Sequence, residues 1–248
     1  MKDKEVLSNP LQELSPTLNP EELPLDKLHE RSFSNSVSLL EGVLIMISKI
    51  IEITRSLSEC VHECHASTME RCGSLAQDVH KQEQVLTRII VSSEVSPELR
   101  TGLINFPYRL ERIGDMLESV LKCCRTKAMQ SIHFSEPAHR DLDQFFDSLL
   151  TTMVDLRDAL VTPKRAALEV IRADGQRIDL LFEAFREAHW QRLERGVCAV
   201  EASSTFRDIL DSLKSVNEYL VKIGTKMLEL GQRGAREADG REASAGSA

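Results

Sequence analysis

Between residues 34 and 230, every long segment of the chain repeats apolar residues at three- and four-residue spacing, the period of a helix that buries one face. This pattern leaves little room for a sheet. Two Tyr, one Trp and few runs of Val, Ile or Thr point the same way, since these residue types carry most strands. The first expected helix begins near Ser34 and reaches the low sixties. It carries Val37, Leu40, Leu44, Ile47 and Ile51 on one stripe, with Ile50, Ile53, Leu57, Cys60 and Cys64 beside it. A stripe this broad requires two neighbouring helices.

The breaks between segments are few and chemically explicit. Ser67 and Glu70 have capping-box spacing, which sets the start of a second helix reaching Val91. Ser96 before Pro97 starts a third, whose stripe Leu99, Leu103, Phe106, Leu110, Ile113, Leu117, Val120 and Cys124 contains Pro107, expected to kink or restart it. A fourth helix carries Leu142, Phe145, Phe146, Leu149, Met153, Leu156 and Leu160; Thr162 and Pro163 read as cap and first residue of a fifth. The fifth spans Gly175 and stops at Gly196, and a sixth runs from about Ser204 to Leu230.

The second half rebuilds the first. Asp78 and Glu83 match Asp174 and Asp179 at an offset of 96 residues, while Leu99, Leu103, Phe106 and Leu110 match Ile209, Leu213, Val216 and Leu220 at an offset of 110. About 14 more residues therefore separate the second and third helices of the second half. The expected architecture is all-α, two tandem antiparallel three-helix bundles. Residues 1–32 form a Pro-rich disordered leader, 33–130 the first bundle, 131–138 a linker containing Pro137, 139–230 the second bundle, and 231–248 a disordered tail.

Composition excludes several classes of function. Lys and Arg number 31 against 39 Asp and Glu, and no basic cluster or Arg-aromatic interleaving could neutralise a phosphate backbone, so nucleic acid is not an expected partner. The most apolar stretch, Leu39–Ile53, is broken by Glu41, Lys49 and Glu52 and is shorter than the ~20 residues of a spanning helix. Met1–Glu5 shows no secretory n-region or h-region. The expected location is cytoplasmic, extending to the inner face of a membrane, without insertion and with the six cysteines reduced. No Gly-rich phosphate loop or nucleophile elbow occurs.

Leu110-Glu111-Arg112-Ile113-Gly114-Asp115 is the segment richest in chemistry. Glu111 and Asp115 share one helix face with Cβ atoms about 5–6 Å apart, and as like charges they cost the helix roughly 0.2–0.5 kcal/mol unless a cation sits between them. Glu118 extends the row, and Arg112 or Lys122 could supply the cation from within the chain. Gly114 costs roughly 1 kcal/mol relative to Ala, which implies a close neighbour at that position. Oxygen ligands without His or Cys would suit Mg, Mn, Ca or iron.

This run, on the third helix of a bundle that is then duplicated, resembles the signature of the PhoU family. Asp174 with Ile178-Asp179, and Pro97-Glu98-Leu99-Arg100, resemble further patterns of that family, so the likeness covers roughly residues 33–230. The resemblance implies a non-catalytic regulator of phosphate uptake and signalling that contacts a membrane phosphate transporter or sensor kinase. It also resembles the PhoU-like cytoplasmic module of sodium/phosphate cotransporters. A second copy of the chain stands among the candidate partners. On this resemblance Glu111 and Asp115 match the metal-binding acids of the first bundle, with Glu83 as candidate third ligand for divalent or iron cations. At the equivalent place the second bundle reads Leu220-Val221-Lys222-Ile223-Gly224-Thr225, with both acids lost, so at most one metal cluster is expected.

Two other readings compete. A metal-free helical scaffold or adaptor needs only the bundles. Glu59-Cys60-Val61-His62-Glu63-Cys64-His65 suggests a metal site, and Glu59 with His62 has the Glu-x-x-His spacing of di-iron oxidases. The only other instance, Glu136 with His139, contains Pro137, and Cys60 and Cys64 continue an apolar stripe, as buried cysteines do.

Overall fold

The apolar stripes become the buried faces of six helices. In chain order these are α1 (Leu39–Cys60), α2 (Ala66–Ser92), α3 (Pro97–Met129), α4 (Glu136–Val161), α5 (Arg165–Glu194) and α6 (Val200–Ala245). The structure, a computed structural model, describes residues 39–245, with side chains through Gly231. No strand occurs among them. The leader and the expected start of the first helix near Ser34 lie outside the described residues.

Helices α1, α2 and α3 pack on one another, and α4, α5 and α6 do the same. The two bundles then meet through α1 against α4 and α3 against α6. Both of these helix pairs join a helix to its own counterpart, as in a twofold-related interface made within one chain. Leu103, Phe106 and Leu110 on α3, and their matches Leu213, Val216 and Leu220 on α6, are all buried. Lys49, which interrupts the apolar stretch of α1, is kept soluble inside the fold by Asp78 on α2, 2.7 Å from its Nζ.

The extra length of the second half is divided between two helices. In the register of α2, α5 would end at Ala188, but it continues to Glu194. In the register of α3, α6 would begin at Arg207, but it begins at Val200. The α5–α6 hairpin thus projects nearly two turns beyond anything in the first bundle. Its added turns are packed rather than loose: His189 is buried, stacks on Phe206 with centroids 4.6 Å apart, and places Nε2 2.9 Å from Ser203 Oγ. Burial first, then the nearby Arg192 and Arg207, hold the His189 imidazole below its ordinary pKa. Gly196 turns the corner at φ +66°, with Val197 N–H donating to Arg192 O at 2.9 Å and Gly196 N–H to Leu193 O at 3.0 Å, a Schellman arrangement that only a residue tolerant of left-handed backbone forms cheaply.

Several local expectations are corrected. Helix α2 starts before Ser67, because Met69 N–H already bonds His65 O at 3.1 Å, so the capping box is not used. Thr162 closes α4 through its N–H to Asp158 O, and α5 begins after Lys164, leaving Pro163 in the connection. Helix α3 does not restart at Pro107, one of the two outcomes expected there; its flanking Phe106 and Leu110 are buried, and their packing outweighs one lost hydrogen bond. Helix α6 begins at Val200 rather than near Ser204, since Ala202 and Phe206 have core to cover. Its backbone continues as helix to Ala245 where a disordered tail from Gly231 is expected; the Ala, Glu and Arg of that stretch are good helix formers. Cys64 is not on α1: it lies in the α1–α2 loop, its sulfur beside that of Cys60 at the helix end.

Two helix glycines, one in each half, are under different demands. A Cβ on Gly114 would meet only Val79 Cγ1, at 3.4 Å, which is ordinary contact, so nothing crowds that position. A Cβ on Gly175 would fall 2.2 Å from Val221 Cγ2. Gly114→Ala is therefore expected to stabilise the protein by up to about 1 kcal/mol. Gly175→Ala is expected to destabilise it by about 1–3 kcal/mol. Urea unfolding of the two variants checks both signs.

Candidate functional site

The facing surfaces of α2 and α3 leave a cleft of about 390 Å³ lined by His80, Lys81, Glu111, Gly114, Asp115 and Glu118. The helical spacing puts Glu111 and Asp115 on its floor, as the sequence predicts. Glu111 is buried, and a buried carboxylate needs partners. It has two. Arg112 donates from Nε and Nη2 to Glu111 Oε2 at 2.9 and 2.7 Å, and His80 Nδ1 lies 3.1 Å from Oε1. The same guanidinium reaches Asp115 Oδ2 from Nη1 at 2.9 Å. Burial, then the charge of Glu111, raises the Asp115 carboxyl above its ordinary pKa, opposed by Arg112 and His80.

The cation that relieves the repulsion between Glu111 and Asp115 is thus Arg112. Glu83 stands apart from the cleft: its Oε1 accepts from Thr87 Oγ1 at 2.7 Å, one turn further along α2. The structure brings two of the three sequence-derived ligands together and supplies His80 where Glu83 is expected. Among the described residues, no group of three or more His, Cys, Asp and Glu is arranged to hold a metal ion. As arranged here the donor set suits a guanidinium rather than a metal, because both carboxylates are already engaged in charge-assisted hydrogen bonds.

At the matching place in the second bundle, apolar packing replaces charge. Val221 lies over Gly175, and Asp179 acquires a partner that the sequence does not announce: buried Asn217 donates from Nδ2 to Asp179 Oδ1 at 3.0 Å and to Gly175 O at 2.9 Å. Lys222, left behind by the lost acids, turns to Glu218 and to the ring of Tyr219, while its carbonyl accepts from Arg109 across the α3–α6 seam.

The two Glu-x-x-His segments do meet in space, though not as metal ligands. His62 stacks on His139 with centroids 4.4 Å apart and has Nε2 2.6 Å from Asp143 Oδ1, where the α1–α2 loop leans on the start of α4. Parallel rings aim their nitrogens past each other rather than at a common point. Burial, then His62 and Lys127, lower the His139 pKa.

No protein-family model matches the chain, and no curated protein does. Among solved structures, the crystal structure of PhoU from Pseudomonas aeruginosa superposes with a TM-score of 0.70 at 12% identity, covering 79% of this chain and 96% of that one. The fold is PhoU-like. Identity at this level shows the architecture alone, and the PhoU-like arrangement accounts for both bundles. Among the described residues no helix is long and apolar enough to cross a membrane.

If Arg112 competes with a metal for these carboxylates, removing it should create a site. Mn²⁺ is expected to raise the melting temperature of Arg112→Ala clearly more than that of the unaltered protein, measured by calorimetry. Equal shifts in the two proteins would show that the guanidinium does not compete.

Proposed function

We propose that this chain is a non-catalytic regulator of phosphate uptake or phosphate signalling, acting by docking helical faces onto a membrane phosphate transporter or its sensor kinase. The observation that carries the reading is the PhoU-like superposition over nearly the whole length of the neighbour. The 110–115 motif adds support, since its acids lie where α3 faces α2 in the first bundle.

A binding role also suits the chemistry of the cleft. Glu111 and Asp115 are both engaged by Arg112, leaving neither carboxylate poised as a general base. We propose docking without a metal, because the guanidinium already supplies the positive charge between the acids. A cytoplasmic position at the inner face of the membrane follows from the transporter or kinase as partner.

Deletion of the gene in its source organism, grown with ample phosphate, tests the proposal. Phosphate uptake and the output of phosphate-starvation promoters are expected to rise several-fold and to return when the unaltered gene is restored. Unchanged uptake and unchanged promoter output would overturn the reading.

A further inference from the structure

One face of α1 is open to solvent at the end of the helix and covered at its start. Glu41, Ile45, Ser48, Glu52, Arg55 and Glu59 fall on a single helical stripe. Arg55 and Glu59 are exposed and Glu52 is half-buried, whereas Ser48 is 7% exposed, Glu41 5% and Ile45 2%. From Leu39 to Ile51 every residue of α1 is buried, whichever way it points. The described neighbours of α1 lie on its other faces. Gly42 sits against Leu86 of α2, Lys49 pairs with Asp78 of α2, and Thr54 Oγ1 is 3.5 Å from Met153 Sδ of α4. Helix α4, the counterpart of α1, keeps an outward face open along its length, with Arg140, Gln144, Asp147, Thr151 and Asp158 all exposed. Packing of the six helices thus leaves such a face to solvent, and the first turns of α1 require a further layer.

Ser48 supplies an independent observation at the centre of the covered stretch. Its hydroxyl is buried and has no hydrogen-bond partner among the described residues. Buried hydroxyls are normally satisfied, and other helix serines of this fold return theirs to the backbone: Ser119, Ser148, Ser212 and Ser215 each donate to the carbonyl four residues back. Ser48 does not. A hydroxyl held on an outward face in this way suits a polypeptide, whose backbone offers both donors and acceptors. Ile45 beside it calls for apolar side chains, and Glu41, a carboxylate at this burial, calls for positive charge.

The size of the face selects its occupant. Glu41 and Ser48 are about 10 Å apart along the helix, and a strip of that length and one helix width presents roughly 100 Å². A stable interface between separate chains buries about 1,200 Å² or more. So small a surface stays covered only by a segment already tethered beside it, at an effective concentration in the millimolar range. The chain ahead of Leu39 is such a tether: residues 1–38 precede the described residues and end where the covered face begins. Within them Leu7, Leu11, Leu14 and Leu18 recur at four- and three-residue spacing, which makes one apolar edge, and Lys2 and Lys4 stand just ahead. A linker as long as residues 19–38 spans about 25 Å as a random coil. That is enough to bring the leucines from Leu39 back to Ser48, about 14 Å along α1.

We propose that the outer face of α1 is a docking surface occupied in cis by residues 6–18, with Leu11 and Leu14 on Ile45, backbone polar groups at Ser48 Oγ and the amino-terminal lysines toward Glu41. The leader is then a bound strap rather than the disordered segment that its prolines suggest. This surface is separate from the Glu111–Asp115 cleft, and the proposal does not depend on the phosphate reading.

Hydroxyl-radical footprinting of the full chain, read residue by residue by mass spectrometry, tests the proposal. In the unaltered protein Leu11 and Leu14 should be oxidised several-fold more slowly than in a synthetic peptide of residues 1–20, at every protein concentration. Leu11→Asp with Leu14→Asp should raise the oxidation of Ile45 several-fold while leaving Met46 protected, since Met46 is buried on a different face of α1 and its sulfur would report unfolding. Leu11→Ala with Leu14→Ala should shift Ile45 in the same direction with less disturbance of the fold. Leucines that react as fast in the unaltered protein as in the peptide would overturn the proposal. So would an Ile45 no more reactive in the variants than in the unaltered protein. Protection of the leucines that disappears on dilution would assign the face to a second copy of the chain and overturn the proposal as well.

Discussion

Each half of this molecule carries more apolar helix surface than its own three helices can cover, and the contact of α1 with α4 and of α3 with α6 is how the surplus is buried. The rest of the structure depends on that seam. It explains why the stripe of α1 is so broad and why α1 touches three other helices. It also explains how α3 keeps its helix through Pro107, with Leu103, Phe106 and Leu110 buried around the break. Burial of this kind is worth roughly 25 cal/mol per Å² of apolar surface, and it outweighs the local signals that disagree with it.

Much of this was legible in the sequence because hydrophobic period is a property of the chain itself. The six stripes, the duplication and the 14-residue difference can all be read from residue types. Helix starts were less legible. Ser67 with Glu70, and Thr162 with Pro163, are good caps, but a cap contributes only about 1 kcal/mol and yields when packing sets the boundary elsewhere. The place of Cys64 in the loop beside Cys60 was hidden for a related reason: a spacing of four fits both a helical stripe and a closed loop.

The candidate cleft was legible in part. Spacing alone places Glu111 beside Asp115, because that is a fact about one helix. Pairing with His80 is a fact about two, and the rotation of α2 against α3 decides that His80 rather than Glu83 faces the acids. Arg112 lies in the motif itself, and its reach to both carboxylates needs the side-chain conformation. In the second bundle the same position is held by Val221 on Gly175 and by Asn217. One copy thus keeps a charged interface between its second and third helices, while the other seals it with apolar contact. The extra turns of α5 and α6 then lengthen the second hairpin, so the two copies share a framework and differ at this cleft and at that end.

The two bundles, sealed along the α1–α4 and α3–α6 contacts, should unfold as one. The single tryptophan, Trp190, lies on the projecting end of α5 in the second bundle, whereas helical circular dichroism reports on both bundles. Equilibrium unfolding in urea followed by both signals should give one transition with a shared midpoint. A tryptophan transition separated from a second, later or earlier, loss of helix would show that the bundles unfold independently and that the seam does not bind them into one unit.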